Sequence, residues 1–313
     1  MIRTMLFGLM GCAPRYAELE PMAPQDLWAP GGPVLHRSID GVDVAYIDNL
    51  KADAPTLLFV HGLSSYMSFW EYQIPAFQDD YRVIAVDLPG YGASGRPDAP
   101  YTPPWYADLL ASFLVDIGVE KATWIGHSMG GQISMTAALR HPDQVERLVL
   151  AAPAGFERFT AGEVSWMKNF WTEDRAMTAR EEEIRANFTV LNFNRTDEGV
   201  ERLIRERVQL GRHPAFKGTS VAVARSIAGM VDHPVIDRLA KIKAPTLIIF
   251  GTDDRMIPNQ ILHGGRTRAI AEAGHRGIPS SELVMIQGAG HTVQHDAGDA
   301  FNDAMQQFLG RSR

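Results

Sequence analysis

The chain has 313 residues, 45% of them apolar and 21% charged, with a formal net charge of −7, 28 glycines and 19 prolines. That apolar content excludes a mainly disordered, collagenous or coiled-coil protein, and scattered Lys and Arg under a negative net charge exclude the basic patch of a nucleic-acid binder. The single cysteine, Cys12, excludes an intramolecular disulfide or a metal site built on two or more thiolates. Length alone admits two domains or one α/β domain carrying an insertion.

The first ten residues, MIRTMLFGLM, place one basic residue before a short apolar run that ends in Leu9-Met10-Gly11-Cys12. This ending resembles a bacterial lipoprotein cleavage box with Cys12 as the lipidated residue. The apolar core is about as short as a signal core can be, ~7 residues. If the box is used, the protein is anchored to the cell-envelope membrane through lipidated Cys12; otherwise it is cytoplasmic. Residues 1–30 read as a tether or signal outside the fold.

From residue 34 onward, short strand-like runs alternate with helical patterns. Residues 41–48, 56–60, 82–87, 122–125, 147–151, 246–250 and 283–286 read as strands, and most are continuous apolar runs. Strands covered on both faces have that composition. Between two of them, Trp105, Leu109, Leu110, Phe113, Leu114 and Ile117 recur at helical spacing. The alternation predicts an α/β fold with a mainly parallel sheet and helices on both faces. Residues 154–240 interrupt it with helical patterns at 161–171, 176–191, 197–210 and 220–230 and no strand. This predicts a core of 31–153 and 241–313 with an inserted helical cap over 154–240.

Gly126-His127-Ser128-Met129-Gly130 lies between a predicted strand and a predicted helix. In that context a G-x-S-x-G turn lifts the serine Oγ out at the carboxyl edge of the sheet. The serine needs a base. His291, in Gly288-Ala289-Gly290-His291 after the last strand, is placed at the same edge, and His295 is its nearby competitor. His127 is expected to pack under the serine turn and His61 under the loop after the third strand, where it borders the substrate with Gly62. The acceptor for the imidazole is sought in Gly251-Thr252-Asp253-Asp254-Arg255-Met256-Ile257-Pro258, where two aspartates compete. The turn at 152–155 holds no acid. Backbone N–H groups of Met129 and Leu63 are the candidate oxyanion donors.

These pieces resemble the α/β-hydrolase superfamily over roughly residues 34–310: HG at 61–62, DLPGYGASGRP at 87–97, GHSMGG at 126–131, GTDDRMIP at 251–258 and GAGH at 288–291. The resemblance implies an α/β-hydrolase fold with a Ser128–His291–Asp254 triad, because Gly251 and Pro258 put Asp254 in register with the family's acid loop. It makes the 87–97 loop structural, with Asp87 anchoring its turns. Serine at position 128 separates the chain from epoxide hydrolases and haloalkane dehalogenases, which carry aspartate there. The expected activity is cleavage of carboxylic esters through an acyl-serine, with no cofactor and no metal. C–C bond hydrolysis of ring-fission products, cofactor-free perhydrolase or haloperoxidase chemistry, and a non-catalytic ligand sensor are the alternatives. Between Phe156 and Phe193 lie a quarter of the aromatics in an eighth of the chain. They suggest an apolar roof over small-molecule esters, with Trp166 and Phe170 as its wall.

Overall fold

The computed structural model describes Tyr16 and residues 18–310, so Cys12 and the box before it lie outside the described residues. Eight strands form one sheet: β1 (Leu35–Ile39), β2 (Val42–Asp48), β3 (Thr56–Val60), β4 (Arg82–Val86), β5 (Ala122–His127), β6 (Val145–Ala151), β7 (Thr246–Gly251) and β8 (Ser281–Ile286). Their order is β1-β2-β4-β3-β5-β6-β7-β8. β2 pairs antiparallel with β1 and β4, and every later pair is parallel.

The sheet's two faces are read directly from the alternation of its strands. Leu58, Val60, Ile84, Val86, Trp124, Leu148 and Ile248 point to one side, where α2 (Pro103–Asp116) and α3 (Met129–Arg140) cover them. Leu57, Phe59, Val83, Ile125, Val149 and Leu247 point to the other. There they meet Trp70, beside α1 (Gln73–Phe77), and Phe301, Met305 and Phe308 of α11 (Gly298–Leu309). The expected helix at 105–117 starts with Thr102, whose hydroxyl accepts from Trp105 N–H, and Pro103 at the first turn.

β1 was not expected. Its three middle residues, His36, Arg37 and Ser38, are exposed, so it carries no hydrophobic alternation. The available signal was Asp40-Gly41, both at positive φ (49° and 81°), the chemistry of a two-residue hairpin.

Between β6 and β7 the chain is helical: α4 (Ala161–Phe170), α5 (Glu173–Met177), α6 (Glu181–Ala186), a π-turn Asn187–Asn192, α7 (Glu198–Arg212) and α8 (Phe216–Asp232). α9 (Thr267–Gly277) then packs on β7 and β8, and α10 (Val293–Asp296) precedes α11. The single helix expected over 176–191 is broken. Thr178 turns its hydroxyl onto the Asp174 carbonyl at 2.8 Å, and Glu183 accepts from Arg180 N–H at 2.9 Å to start α6.

The tether reading also fails for its described part. Tyr16 and Leu27 are buried among Ile184, Leu203 and Phe216 of the insertion and Phe69 of the core. Met22 N–H donates to the Gln209 carbonyl at 3.3 Å, and Tyr16 N–H to Glu181 at 3.0 Å. A proline-rich segment can lie on a surface without forming an element of its own, and composition does not separate that from a free linker.

Asp87, at the end of β4, is buried and accepts from Met67 N–H and Ala93 N–H, each at 2.7 Å. It anchors the loop as expected. Burial outweighs these bonds and pushes its carboxyl up to about 6 from 3.8. The folded chain therefore holds this proton more tightly than the unfolded chain. The resulting stabilisation is present below pH 4 and lost as pH rises through about 6, by roughly 3 kcal/mol. Urea unfolding of the parent and Asp87→Asn at pH 4 and pH 7 checks this: the parent should lose stability relative to the variant across the interval. A pH-independent difference would contradict it.

Candidate active site

Ser128 lies between β5 and α3 at φ 52° and ψ −116°, a conformation that costs a residue with a Cβ free energy. The turn is held closed by its surroundings. Ser128 N–H donates to the Ala151 carbonyl at 3.0 Å, and the Ser128 carbonyl accepts from Gly131, Gln132 and Ala154 N–H. A methyl group at Gly126 would overlap the Gly130 carbonyl, and one at Gly130 would overlap the Val60 carbonyl. Those glycines are required by close approach of backbone to backbone.

The structure brings Ser128, His291 and Asp254 together. His291 Nε2 is 3.0 Å from Ser128 Oγ, and His291 Nδ1 is 2.9 Å from Asp254 Oδ2. A carboxylate only accepts, so the Nδ1 proton points at Asp254 and Nε2 is left to accept from the serine hydroxyl. The other oxygen, Asp254 Oδ1, accepts from Met256 N–H at 2.7 Å and Ile257 N–H at 3.0 Å, which fixes the carboxylate's orientation. His291 and Asp254 are both buried. Asp253 is exposed and accepts from the hydroxyl of Thr252, away from the imidazole. His295 is bound to Glu71 at 2.9 Å and packed between Tyr72 and Phe193.

Two further buried histidines support the site. His61 Nε2 accepts from Leu88 N–H at 2.9 Å, so Nδ1 is the donor to the Gly62 carbonyl at 2.7 Å. Burial pushes its pKa down to about 4. His127 Nε2 lies 3.1 Å from the His291 carbonyl and donates to it, bracing the loop that carries His291. Burial, followed by the neighbouring His291, drives the His127 imidazole well below its usual range, so it is neutral at pH 7.

Gly62 sits against the serine: a Cβ there would lie 3.2 Å from Ser128 Cβ. That brings the Gly62–Leu63 peptide beside the serine, and Met129 N–H opens α3 next to it. Among the described residues neither Leu63 N–H nor Met129 N–H donates to a protein acceptor. The Met129 side chain, in contrast, belongs to the core.

A cavity of about 330 Å³ opens over Ser128 and His291, walled by Leu63, Met167, Trp171, Ile227 and Met230. Two expectations about this wall need correction. His61 is fully buried beneath the loop, and neither it nor Gly62 lines the cavity. Trp166 and Phe170 stack on each other at 4.8 Å, with Arg175 over the Phe170 ring, and neither lines the cavity. Met167 and Trp171 have the same four-residue spacing one position later, about 100° round the helix. Spacing alone does not choose between the two faces. Asn187 and Asn192, which also line the cavity, come from the π-turn, which no residue pattern announces.

Residues 55–298 match the family model described as the α/β-hydrolase fold. The chain belongs to that family. Relatives include an uncharacterized hydrolase, YugF, of Bacillus subtilis, 28% identical over 88% of this chain and 98% of the relative. A putative carbamate hydrolase, RutD, of Agrobacterium fabrum is 29% identical over 82% of this chain and 94% of its own length. Among solved structures, a probable hydrolytic enzyme of Pseudomonas aeruginosa superposes with a TM-score of 0.82 at 28% identity, covering 91% of this chain and 96% of that one. The protein is accordingly a hydrolase.

If Asp254 alone orients His291, Asp254→Asn should slow the phosphonylation of Ser128 by a fluorophosphonate by at least ~10³, and Asp253→Asn by less than about tenfold. Inactivation rates measured on the two folded variants give the ranking, and the reverse order would transfer the role to Asp253.

Proposed function

We propose that the protein hydrolyses carboxylic esters through an acyl-serine, with Ser128 as nucleophile, His291 as base and Asp254 as its orienting acid. The hydrogen-bonded line Asp254–His291–Ser128 carries this reading. Ser128 Oγ attacks the ester carbonyl and passes its proton to His291 Nε2. The tetrahedral oxyanion takes the N–H groups of Leu63 and Met129, and His291 returns the proton to the departing alcohol. Water then repeats the sequence on the acyl-serine and releases the acid. Every proton is carried by His291, so the reaction needs no cofactor.

Helices α4–α8 act in this reading as the cap, since Met167 and Trp171 of one end and Ile227 and Met230 of the other meet above the serine. The cavity wall is mainly apolar, which favours uncharged acyl groups next to the ester carbonyl.

Hydrolysis of p-nitrophenyl esters from two to twelve carbons tests the reading. Activity should be lost in Ser128→Ala. Met167→Ala and Trp171→Ala should shift the preferred acyl length, changing the ratio of kcat/KM between short and long esters by about tenfold. Trp166→Ala should leave that ratio unaltered. Failure of the parent protein to cleave any of the series would refute the ester assignment.

A further inference from the structure

Beside the cavity over Ser128 lies a second one of about 400 Å³, and the two share walls at Leu63, Trp171, Asn187 and Val223. Nothing in the reaction above uses it. Its lining is part apolar, from Phe69, Phe188 and Phe193, and part cationic, from Arg175 and Arg207.

Several arginines elsewhere have carboxylate partners: Arg202 pairs with Glu71, Arg185 with Glu201, Arg82 with Asp48 and Arg225 with Asp98. Neither Arg175 nor Arg207 has a carboxylate partner or a side-chain hydrogen bond among the described residues. Their guanidinium groups instead lie over aromatic rings, Arg175 3.9 Å from the Phe170 centroid and Arg207 4.2 Å from that of Phe216. Ring faces hold a cation without satisfying its N–H donors. The carboxylate lining the same cavity, Glu183, is already engaged by Arg180 N–H and by its guanidinium at 3.4 Å. Burial pulls Arg207 down to about 10, still cationic at neutral pH. Arg207 is partly buried and Arg175 exposed, so the free donors of both face the cavity and its solvent. An anion in the cavity would take those donors in charge-assisted, bidentate hydrogen bonds.

We propose that the second cavity binds the anionic head of an amphipathic ligand, an alkyl carboxylate or alkyl phosphate. The substrate of Ser128 is then an ester bearing such a group at the end remote from the scissile bond. Phe69, Phe188 and Phe193 line the alkyl portion, and the two guanidinium forks take the head. The anion site stands on the cavity and its arginines, whereas the ligand's identity as substrate rests on the ester reading.

Calorimetric titration of the full chain with decanoate, decyl phosphate and decanol tests the site. At least one anion should bind about tenfold or more tightly than decanol, and the tighter of the two identifies the head group. The preference should vanish in Arg207→Gln and weaken in Arg175→Gln. Arg207→Lys, which keeps the charge but loses the fork, should retain a reduced preference. Equal binding of decanol and both anions by the parent, or an undiminished preference in both Gln variants, overturns the proposal. In a parallel assay, the p-nitrophenyl hemiester of suberic acid should be preferred over p-nitrophenyl octanoate, and the preference should fall at least about tenfold in Arg207→Gln. Binding of alkyl anions without turnover of any ester would refute the ester reading and leave the site standing. Ester turnover without a preference for charge in either assay would do the reverse.

Discussion

Holding Ser128 in a left-handed conformation requires neighbours that leave it no alternative, and the core around it is arranged to do this. β6 supplies the Ala151 carbonyl for its N–H, and three N–H groups from two segments converge on its own carbonyl. α3 starts so close to β3 and β5 that Gly126 and Gly130 have no room for a side chain. The serine hydroxyl therefore emerges at the edge of the sheet where β7 and β8 also end. His291 follows β8 and Asp254 follows β7, so three residues far apart in sequence meet there because parallel strands end on the same side.

The helical insertion is fastened to this edge by charge as well as by packing. Arg202 of α7 pairs with Glu71 at 2.6 Å, and the same carboxylate binds His295, four residues beyond His291. Asp296 accepts from Gly290 N–H at 2.7 Å and from Asn194 N–H at 2.9 Å, joining the loop of His291 to the segment before α7. Because these groups are largely buried, water screens them little, and they hold the insertion in register with Ser128 and His291. The wall of the cavity and His291 beneath it are thus positioned by one network.

What could be read in the sequence follows from how locally each feature is determined. β3, β5 and β7 were legible because both of their faces are covered and the residues are apolar throughout. The serine turn, the acid loop and the loop of His291 were legible because each is a short motif at a strand end whose geometry its own residues set. β1 was not, since an edge strand with His36, Arg37 and Ser38 exposed has no pattern to show. The break between α5 and α6 depended on side-chain hydrogen bonds of Thr178 and Glu183 inside an otherwise helical composition. The cavity wall was misplaced by one residue because the rotation of α4 about its axis is fixed by tertiary packing. Trp166 and Phe170 satisfy the same spacing as Met167 and Trp171. Arg175 and Arg207 are ordinary surface-like residues in the sequence, and only the fold shows that among the described residues they lie over aromatic rings without a carboxylate partner.

Chemical quench of the enzyme within its first turnover of a p-nitrophenyl ester, followed by intact-mass and peptide analysis, tests the central claim most directly. A transient adduct with the mass of the acyl group should appear on the peptide containing Ser128, formed as nitrophenolate is released and decaying as the acid appears. Steady turnover with no acyl adduct at any time, in a protein whose Ser128→Ala variant remains active, would contradict it.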